Sequence, residues 1–171
     1  TWDMLRKFAE TELRPHARSV ESDGRPSDEL LEKIKSLDLI SLIIPEAYGG
    51  MGLEQDSVSN ALALEALAYG DLSLAMSVSI PLLTAQIISE HGSEEQKAEL
   101  LPELISGSIF HVGLGINNAL LATDPYQSSV VADESGEEII LNGSKTGVAF
   151  ADDAKTFLIS ASNESGECNL Y

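Results

Sequence analysis

Residue types that catalyse reactions are thinly spread along this chain. The three histidines, His16, His91 and His111, lie far apart, and none has a cysteine or a second histidine at the spacing of a metal site. The adjacent acids Asp152 and Asp153 fall near a turn, where such pairs are usually solvated charges rather than an acid–base couple. No serine occupies the Gly-x-Ser-x-Gly turn of a serine hydrolase. We therefore assign no catalytic residue and expect no metal site.

Two glycines belong to the sequence Gly113-Leu114-Gly115-Ile116-Asn117-Asn118, which begins like a dinucleotide-binding loop. Asn118 stands where that loop needs its third glycine, and no acidic residue follows on a second parallel strand. A strand is the better interpretation, because glycine inside a strand allows another group to approach the backbone closely. His111, in the same apolar stretch, is then expected to lie in the core or in a cleft.

The charge of the chain is strongly negative. Ten Lys and Arg residues stand against 28 Asp and Glu residues, a net charge of −18. Such a surface repels phosphate backbones, so we expect no nucleic-acid partner. The same shortage of cations leaves little positive charge for an anionic ligand.

The expected location is the cytoplasm. The single cysteine, Cys168, cannot form an internal disulfide, and the N-terminal residues are charged and amphipathic, unlike a signal peptide. Residues 72–89 form an uncharged run long enough to raise the question of a membrane span. Serine, threonine, glutamine and proline inside the run favour a helix buried in the protein, so we expect no membrane contact.

Apolar residues at helical spacing predict a helical first half. Helices are predicted over residues 2–22 with an interruption at Pro15, from Ser27 to about residue 37, and over about 54–69, 72–91 and 93–101, with a further short helix from Pro102 to Gly107. Ser27 and Asp71 are expected to cap the helices that follow them, and Ser93 with Gln96 forms a capping box. Gly49, Gly50 and Gly52 predict a shaped loop.

After Gly107 the hydrophobic period becomes that of strands. Strands are predicted at residues 109–116, 128–133, 138–141 and 155–161, with one more beginning at Leu170. The polar turn at 134–137 predicts a hairpin. The predicted fold class is α+β, with an all-α domain over 1–107 followed by a partial antiparallel β-domain over 108–171. We expect the natural chain to continue past Tyr171, because a sheet cut there would leave an unpaired edge.

Four stretches resemble acyl-CoA dehydrogenases, in order and at compatible spacing. They are IPEAYGGMGL at residues 44–53, EALAYGDLSLA at 65–75, HGSEEQK and LPELISG between 91 and 107, and LNGSKT at 141–146. Each is weak alone, but together they indicate this family. The resemblance implies an N-terminal helical domain, a middle β-domain and a C-terminal four-helix domain around FAD. Only the first and part of the second are expected in this chain.

The resemblance also implies a reaction. In this family a carboxylate base removes the α-proton of an acyl-CoA thioester while the β-hydrogen leaves as hydride to the flavin. The base usually lies in the C-terminal domain, so no residue of this chain receives that role. An acyl-CoA substrate, an FAD cofactor and a homo- or hetero-oligomer are implied, whereas the acyl group and the electron acceptor are not identified. Helix 72–88 could line the acyl pocket, with Ser77, Ser79 and Thr84 as a polar wall.

Two segments would contact the flavin according to this resemblance. The first, usually a Thr-Glu-Pro loop, falls on residues 116–118, and the second, usually Trp-Ile-Thr-Asn, falls on residues 147–150. The candidate cofactor-binding residues are Gly113, Gly115, Ile116, Asn117, Gly147, Val148 and Ala149.

The chain departs from the family at both segments. Gly147 replaces the tryptophan and removes its packing surface, and Ala149 lacks a hydroxyl whose hydrogen bond is worth about 0.5–1.5 kcal/mol net. Backbone N–H and C=O groups remain, since they do not depend on the side chain. Three hypotheses follow: an FAD-dependent acyl-CoA dehydrogenase, a flavin-free paralogue that serves as the structural partner subunit of an active dehydrogenase, or a flavin monooxygenase on the same scaffold.

Overall fold

The computed structural model of the chain describes residues 2–53, 57–107, 111–118 and 127–171. The chain forms two compact units, Thr1–Phe110 and His111–Tyr171. The predicted boundary between residues 107 and 108 borders residues 108–110, which lie outside the described ranges, so it stays a prediction.

The first unit is helical. Its described α-helices are α1 (Trp2–Phe8), α2 (Ala17–Asp23), α3 (Asp28–Lys35), α4 (Leu39–Ile43), α5 (Ser57–Ala68), α6 (Leu72–His91) and α7 (Glu94–Ser106). The predicted caps are confirmed: the side chain of Ser27 accepts from the N–H of Leu30, and that of Asp71 accepts from the N–H of Leu74. The capping box of Ser93 is present with both of its hydrogen bonds.

The interruption predicted at Pro15 is confirmed, and it begins earlier than expected. A π-helical turn (Ala9–Leu13) and a 3₁₀ turn (Arg14–His16) separate α1 from α2. A Cβ atom at Gly70 would lie 2.7 Å from the carbonyl oxygen of Ala9 and 2.8 Å from Cβ of Leu13. The π-turn therefore packs directly on the backbone at the end of α5, a contact between distant residues that no local pattern predicts.

Helix α7 is longer than predicted. We expected it to end near Leu101 and a new helix to begin at Pro102, but α7 continues through Pro102 to Ser106 and ends at Gly107 in the left-handed conformation. Leu101 and Leu104 are fully buried on the two sides of the proline. Burying two leucines stabilises by roughly 3–6 kcal/mol, which offsets the ~3 kcal/mol that an interior proline costs.

The glycine-rich loop folds back over α4. The N–H groups of Met51, Gly52 and Leu53 donate to the carbonyls of Ser41, Ile44 and Leu42 at 2.8–2.9 Å, so the loop satisfies carbonyls that a helix end leaves free. The hydroxyl of Tyr48 donates to Glu94 at 2.7 Å and joins the loop to the first turn of α7.

Helix α6 is long and apolar enough to cross a membrane by length and composition, and within the described ranges it is alone in this. Half of the residues in its most apolar 18-residue stretch are buried, as expected for a core helix. The hydroxyls of Ser77 and Thr84 are buried and donate to carbonyls of the same helix, those of Leu74 and Ile80. Their hydrogen bonds are made within the helix, because a serine or threonine inside a helix can satisfy its hydroxyl on the preceding turn. Ser79 is half-buried, and the acyl pocket with its polar wall stays a prediction.

The second unit contains a small sheet. Its described strands are β1 (Val112–Gly115), β2 (Val131–Asp133), β3 (Ile140–Asn142), β4 (Thr156–Ser162) and β5 (Cys168–Leu170). The strand order is β1-β4-β2-β3, and β5 pairs with β4. The hairpin of β2 and β3 is confirmed, with Val131 opposite Asn142. Val130, Ala132 and Ala161 form a small core under Ile159 and Tyr171.

The α+β class is confirmed, but the sheet is mixed rather than antiparallel. β1 runs parallel to β4, and β2 also meets β4 in a parallel pairing. A short turn forces its two strands to be antiparallel, as between β2 and β3. The direction of strands that are far apart in the chain is set by packing, so the sequence pattern does not reveal it.

Candidate functional site

The two segments predicted to contact the flavin lie side by side. Asn118 and Lys145 form an antiparallel β-bridge. The N–H of Thr146 donates to the carbonyl of Asn117 at 3.0 Å, and the hydroxyl of Thr146 donates to the carbonyl of Asn118 at 3.0 Å. The end of β1 and the segment from Lys145 to Ala149 therefore form one continuous edge of the second unit.

Gly113 and Gly115 are buried beneath side chains of β4. A Cβ atom at Gly113 would lie 2.2 Å from Cδ1 of Phe157, and one at Gly115 would lie 2.5 Å from Cδ1 of Ile159. These are the residues opposite them in the parallel pairing. A side chain at either glycine would have to displace the β4 side chain beside it, so glycine lets the side chains of β4 lie across β1, as the strand interpretation predicts. Direct contact of these two glycines with a ligand stays a prediction.

The other five candidates are accessible to different degrees. Asn117 and Gly147 are exposed, whereas Ile116, Val148 and Ala149 are half-buried. Gly147 has a φ of +63°, and the nearest atom to its ideal Cβ position is Nδ2 of Asn117 at 3.8 Å. The position where the family has a tryptophan is therefore open space beside Asn117.

Several backbone N–H groups along this edge could donate hydrogen bonds to a ligand. Among the described residues, the N–H groups of Gly147, Val148 and Ala149 donate to no protein acceptor. A peptide N–H is a strong donor that seeks a partner when it is desolvated. These donors suit a flat ligand that carries carbonyl oxygens and ring nitrogens along one side, as the isoalloxazine ring of a flavin does, so the residues present fit that group.

Phe150, at the end of this segment, adopts an unusual backbone conformation. Its φ is +57°, in the left-handed region, which costs a residue other than glycine or asparagine roughly 1–2 kcal/mol. The family has asparagine here, which tolerates this conformation. Phe150 instead stacks on His111, with ring centroids 4.9 Å apart and an interplanar angle of 6°. The core-or-cleft interpretation of His111 agrees with this half-buried stacked position.

Lys145 lies behind the edge, and its ammonium group is surrounded by oxygens. Its Nζ donates to the carbonyl of Ile116 at 3.2 Å, to Oδ1 of Asn118 at 3.0 Å, and to the hydroxyls of Ser128 at 2.9 Å and Ser160 at 2.8 Å. Burial lowers the pKa of Lys145, and the nearby thiol of Cys168 opposes this shift. The sequence identifies Lys145 only as part of a family motif.

Asn118 is a second residue that the sequence analysis undervalues. It is only 8% exposed, and its side chain donates to the carbonyl of Gln127 at 2.7 Å while accepting from the N–H of Ser129 at 3.0 Å. The family has a proline here, which could make none of these bonds. One signal in the sequence could have drawn attention to this cluster: Lys145 is one of three Lys and Arg residues after residue 50.

Within the described ranges, no group of three or more His, Cys, Asp and Glu residues is placed to hold a metal ion.

Comparison with known proteins assigns the chain to a family. The model of the acyl-CoA dehydrogenase N-terminal domain matches residues 1–108, more than half of the chain. The chain belongs to the acyl-CoA dehydrogenase family. A probable acyl-CoA dehydrogenase, YngJ of Bacillus subtilis, is 31% identical over 93% of this chain and 41% of its own length. Glutaryl-CoA dehydrogenase of Desulfococcus multivorans is 29% identical over 90% of the chain and 40% of its own length.

A solved structure agrees with this acyl-CoA dehydrogenase assignment. The glutaryl-CoA dehydrogenase of Mycobacterium smegmatis in complex with FADH2 superposes with a TM-score of 0.81 and 26% identity, covering 99% of this chain and 44% of that one. The chain thus spans about two fifths of the length of the relatives that it matches.

Proposed function

We propose that the full-length protein containing this chain is an FAD-dependent acyl-CoA dehydrogenase that forms an α,β double bond in an acyl-CoA thioester. The observation that carries the proposal is the shared edge of residues 116–117 and 147–149. The two segments are distant in sequence but adjacent in the second unit, and the N–H groups of residues 147–149 are available to a ligand. Membership in the family supports the same assignment.

Bound flavin would supply the hydride acceptor for the β-hydrogen of the substrate. The part of this chain is to bind and orient that group: the N–H groups of Gly147, Val148 and Ala149 would donate to its polar side. The exposed side chain of Asn117 could add one further hydrogen bond. The base that removes the α-proton lies outside this chain. The oligomer and the cytoplasmic location stay predictions.

The test begins with the colour of the purified full-length protein. We expect the visible absorption of oxidised flavin, and we expect its loss when an acyl-CoA is added without oxygen, since the flavin then accepts the hydride. A colourless protein that binds no added FAD would contradict the proposal. A series of acyl-CoA chain lengths would identify the preferred substrate.

The edge itself is tested with a pair of charge substitutions. Asn117→Asp adds a negative charge at the edge, and Asn169→Asp adds the same charge on β5, where Asn169 is exposed. We expect Asn117→Asp to weaken FAD binding and Asn169→Asp to leave it nearly unchanged, because a carboxylate repels the acceptor atoms of the ring. Equal effects of the two variants would show that only the net charge matters.

A flavin-free partner subunit is the second candidate. The open space at Gly147 and the missing hydroxyl at Ala149 favour it, because two side-chain contacts that the family uses are absent. In that case the protein would be colourless alone and would co-purify with a flavin-containing dehydrogenase encoded nearby. A protein that is yellow and active by itself excludes this candidate.

A further inference from the structure

We propose that Lys145 is a positioning residue, which fixes the end of β1 against residues 145–149 and so sets the spacing of the backbone donors offered to the flavin. The flavin part rests on the function proposed above, whereas the structural part concerns this chain alone.

The Lys145 ammonium joins four segments of the second unit. Its acceptors are the carbonyl of Ile116 at the end of β1, the side chain of Asn118 in the next turn, the hydroxyl of Ser128 before β2 and the hydroxyl of Ser160 in β4. The backbone of Lys145 also pairs with Asn118. One residue thus ties both candidate segments to the centre of the sheet.

A lysine is suited to this position because of its donors. An ammonium group has three N–H donors and no acceptor, so it can serve three of the four oxygens at once. Charge-assisted hydrogen bonds of this kind are roughly twice as strong as neutral ones. Within the described ranges no carboxylate pairs with Lys145, so neutral oxygens accept its hydrogen bonds.

The acceptors are themselves held in place. The hydroxyl of Ser128 donates to the carbonyl of Ser160 at 2.8 Å, and Oδ1 of Asn118 also accepts from the N–H and the hydroxyl of Ser129. Ser160 is only 4% exposed, so removing the ammonium would take away the donor to its buried hydroxyl oxygen, whereas Oδ1 of Asn118 would keep its two donors from Ser129. The ladder of β1 with β4 and the 3.4 Å hydrogen bond from the Ser160 hydroxyl to the Ile116 carbonyl would remain, but residues 145–149 would lose their tie to β4, and the pairing of Thr146 with Asn117 would loosen.

The test uses two variants of the full-length protein. Lys145→Met keeps most of the aliphatic stem and removes the donors and the charge. Lys155→Met is the matched control, because Lys155 is an exposed lysine of the same unit. Two quantities are measured: hydrogen exchange at the N–H of Thr146, which donates to Asn117, and the dissociation constant of FAD.

We expect Lys145→Met to speed exchange at Thr146 roughly ten- to a hundredfold, since hydrogen bonds to a charged group are lost. FAD binding should weaken by about tenfold or more. The N–H of Ile159, which donates to the carbonyl of Tyr171 at 2.8 Å, should keep its protection, and Lys155→Met should change none of the three.

Three results would overturn the proposal. Unchanged exchange at Thr146 would show that Lys145 does not hold the edge. Faster exchange with unchanged FAD affinity would show that the edge does not need holding. Equal loss of protection at Thr146 and Ile159 would mean that the whole sheet has loosened.

Failure of the proposed function is distinguishable from failure of this proposal. If the unaltered protein binds no FAD, the flavin part falls with the proposed function, while exchange at Thr146 still decides whether Lys145 holds the edge. Should Lys145→Met not fold, Lys145→Gln replaces it, because glutamine keeps a neutral NH₂ donor. The same changes are then expected with smaller size, and their absence overturns the proposal equally.

Discussion

At Gly50 the ideal position of a Cβ atom lies 2.0 Å from the carbonyl oxygen of Ile44 and 2.6 Å from its carbonyl carbon. Both are backbone atoms, so neither can move aside as a flexible side chain could. We expect Gly50→Ala to lower the free energy of unfolding by at least about 3 kcal/mol, because the loop must lift away from α4. Urea denaturation followed by circular dichroism measures this loss.

Gly24→Ala is the control, because it tests the cost of a left-handed backbone conformation without a steric clash. Gly24 has a φ of +73°, and no atom lies within 4 Å of its ideal Cβ position. Alanine there should cost only about 1–2 kcal/mol, the penalty of the left-handed conformation. If the two variants lose similar stability, the close approach of the loop to Ile44 does not explain the stability loss of Gly50→Ala.

The hydrogen bond between Tyr48 and Glu94 predicts a stability that depends on pH. The Tyr48 hydroxyl and then Lys97 lower the pKa of Glu94 below its ordinary 4.5, and Glu94 raises the pKa of Tyr48 above its ordinary 10.0. The depressed carboxyl stabilises the fold above its unfolded pKa, and this effect is lost as the pH falls through the folded value. The raised phenol stabilises below its unfolded pKa, and this is lost as the pH rises through the folded value.

Tyr48→Phe removes the bond that raises the pKa of Tyr48 and that is the largest cause of the lowered pKa of Glu94. The stability difference between the unaltered protein and Tyr48→Phe should therefore be largest between about pH 5 and pH 9 and should shrink at both ends. Thermal melts across this range measure it. Glu94→Gln, which keeps an acceptor without the charge, should abolish the acidic limb; a difference that does not change with pH would contradict the coupling.

At the scale of single residues, the sequence predicts that two candidate segments are neighbours, but not which residues hold them together, and their contact with a flavin stays a prediction. The family alignment identifies Asn117 and Gly147 as parts of one site, and the structure places them next to each other. It does not identify the four acceptors around Lys145, because serines and an asparagine far apart in sequence carry no pattern of their own. Such a cluster exists only after the sheet has formed.

Among the elements, the helices follow from the sequence better than the strands. Ser27, Asp71 and Ser93 mark helix starts because a cap is a hydrogen bond between residues three apart. The error at Pro102 arises because the burial of Leu101 and Leu104 depends on packing by distant residues. The sequence does not predict the parallel pairing of β1 with β4 either, because the direction of these strands also depends on packing by distant residues.

The packing of β4 side chains over the glycines of β1 gives a prediction about coupled residues. Gly113→Ala would place its Cβ 2.2 Å from the ring of Phe157, and we expect a loss of about 1–3 kcal/mol from overpacking. In a Phe157→Ala background the ring is absent, so the same substitution should cost clearly less. A double-mutant cycle from urea denaturation measures the difference. Equal costs in the two backgrounds would mean that a side chain at position 113 destabilises β1 for a reason other than contact with Phe157.

At the scale of the whole molecule, the family is easier to predict than the contacts. Its signals are loops, caps and glycines in a fixed order, and these survive substitution because each follows from local backbone geometry. The 31% identity with YngJ and the TM-score of 0.81 with the glutaryl-CoA dehydrogenase agree with that order. The side chains that contact the flavin in the family differ in this chain, so the sequence predicts the fold better than it predicts the chemistry.

The net charge of −18 gives the last prediction. Carboxylates in such excess repel one another most strongly in the compact state, so their repulsion destabilises it. The ion pairs work against this, but they are weak because they are exposed; Arg25 and Asp28, for example, are 62% and 89% exposed.

Raising NaCl from about 0.01 M to about 0.15 M shortens the screening length from roughly 30 Å to 8 Å. The urea midpoint of the 171-residue chain should therefore rise with salt near pH 7. Near the isoelectric point, about pH 4.3, the rise should vanish. A midpoint that falls with salt at pH 7 would mean that the ion pairs outweigh the excess of carboxylates.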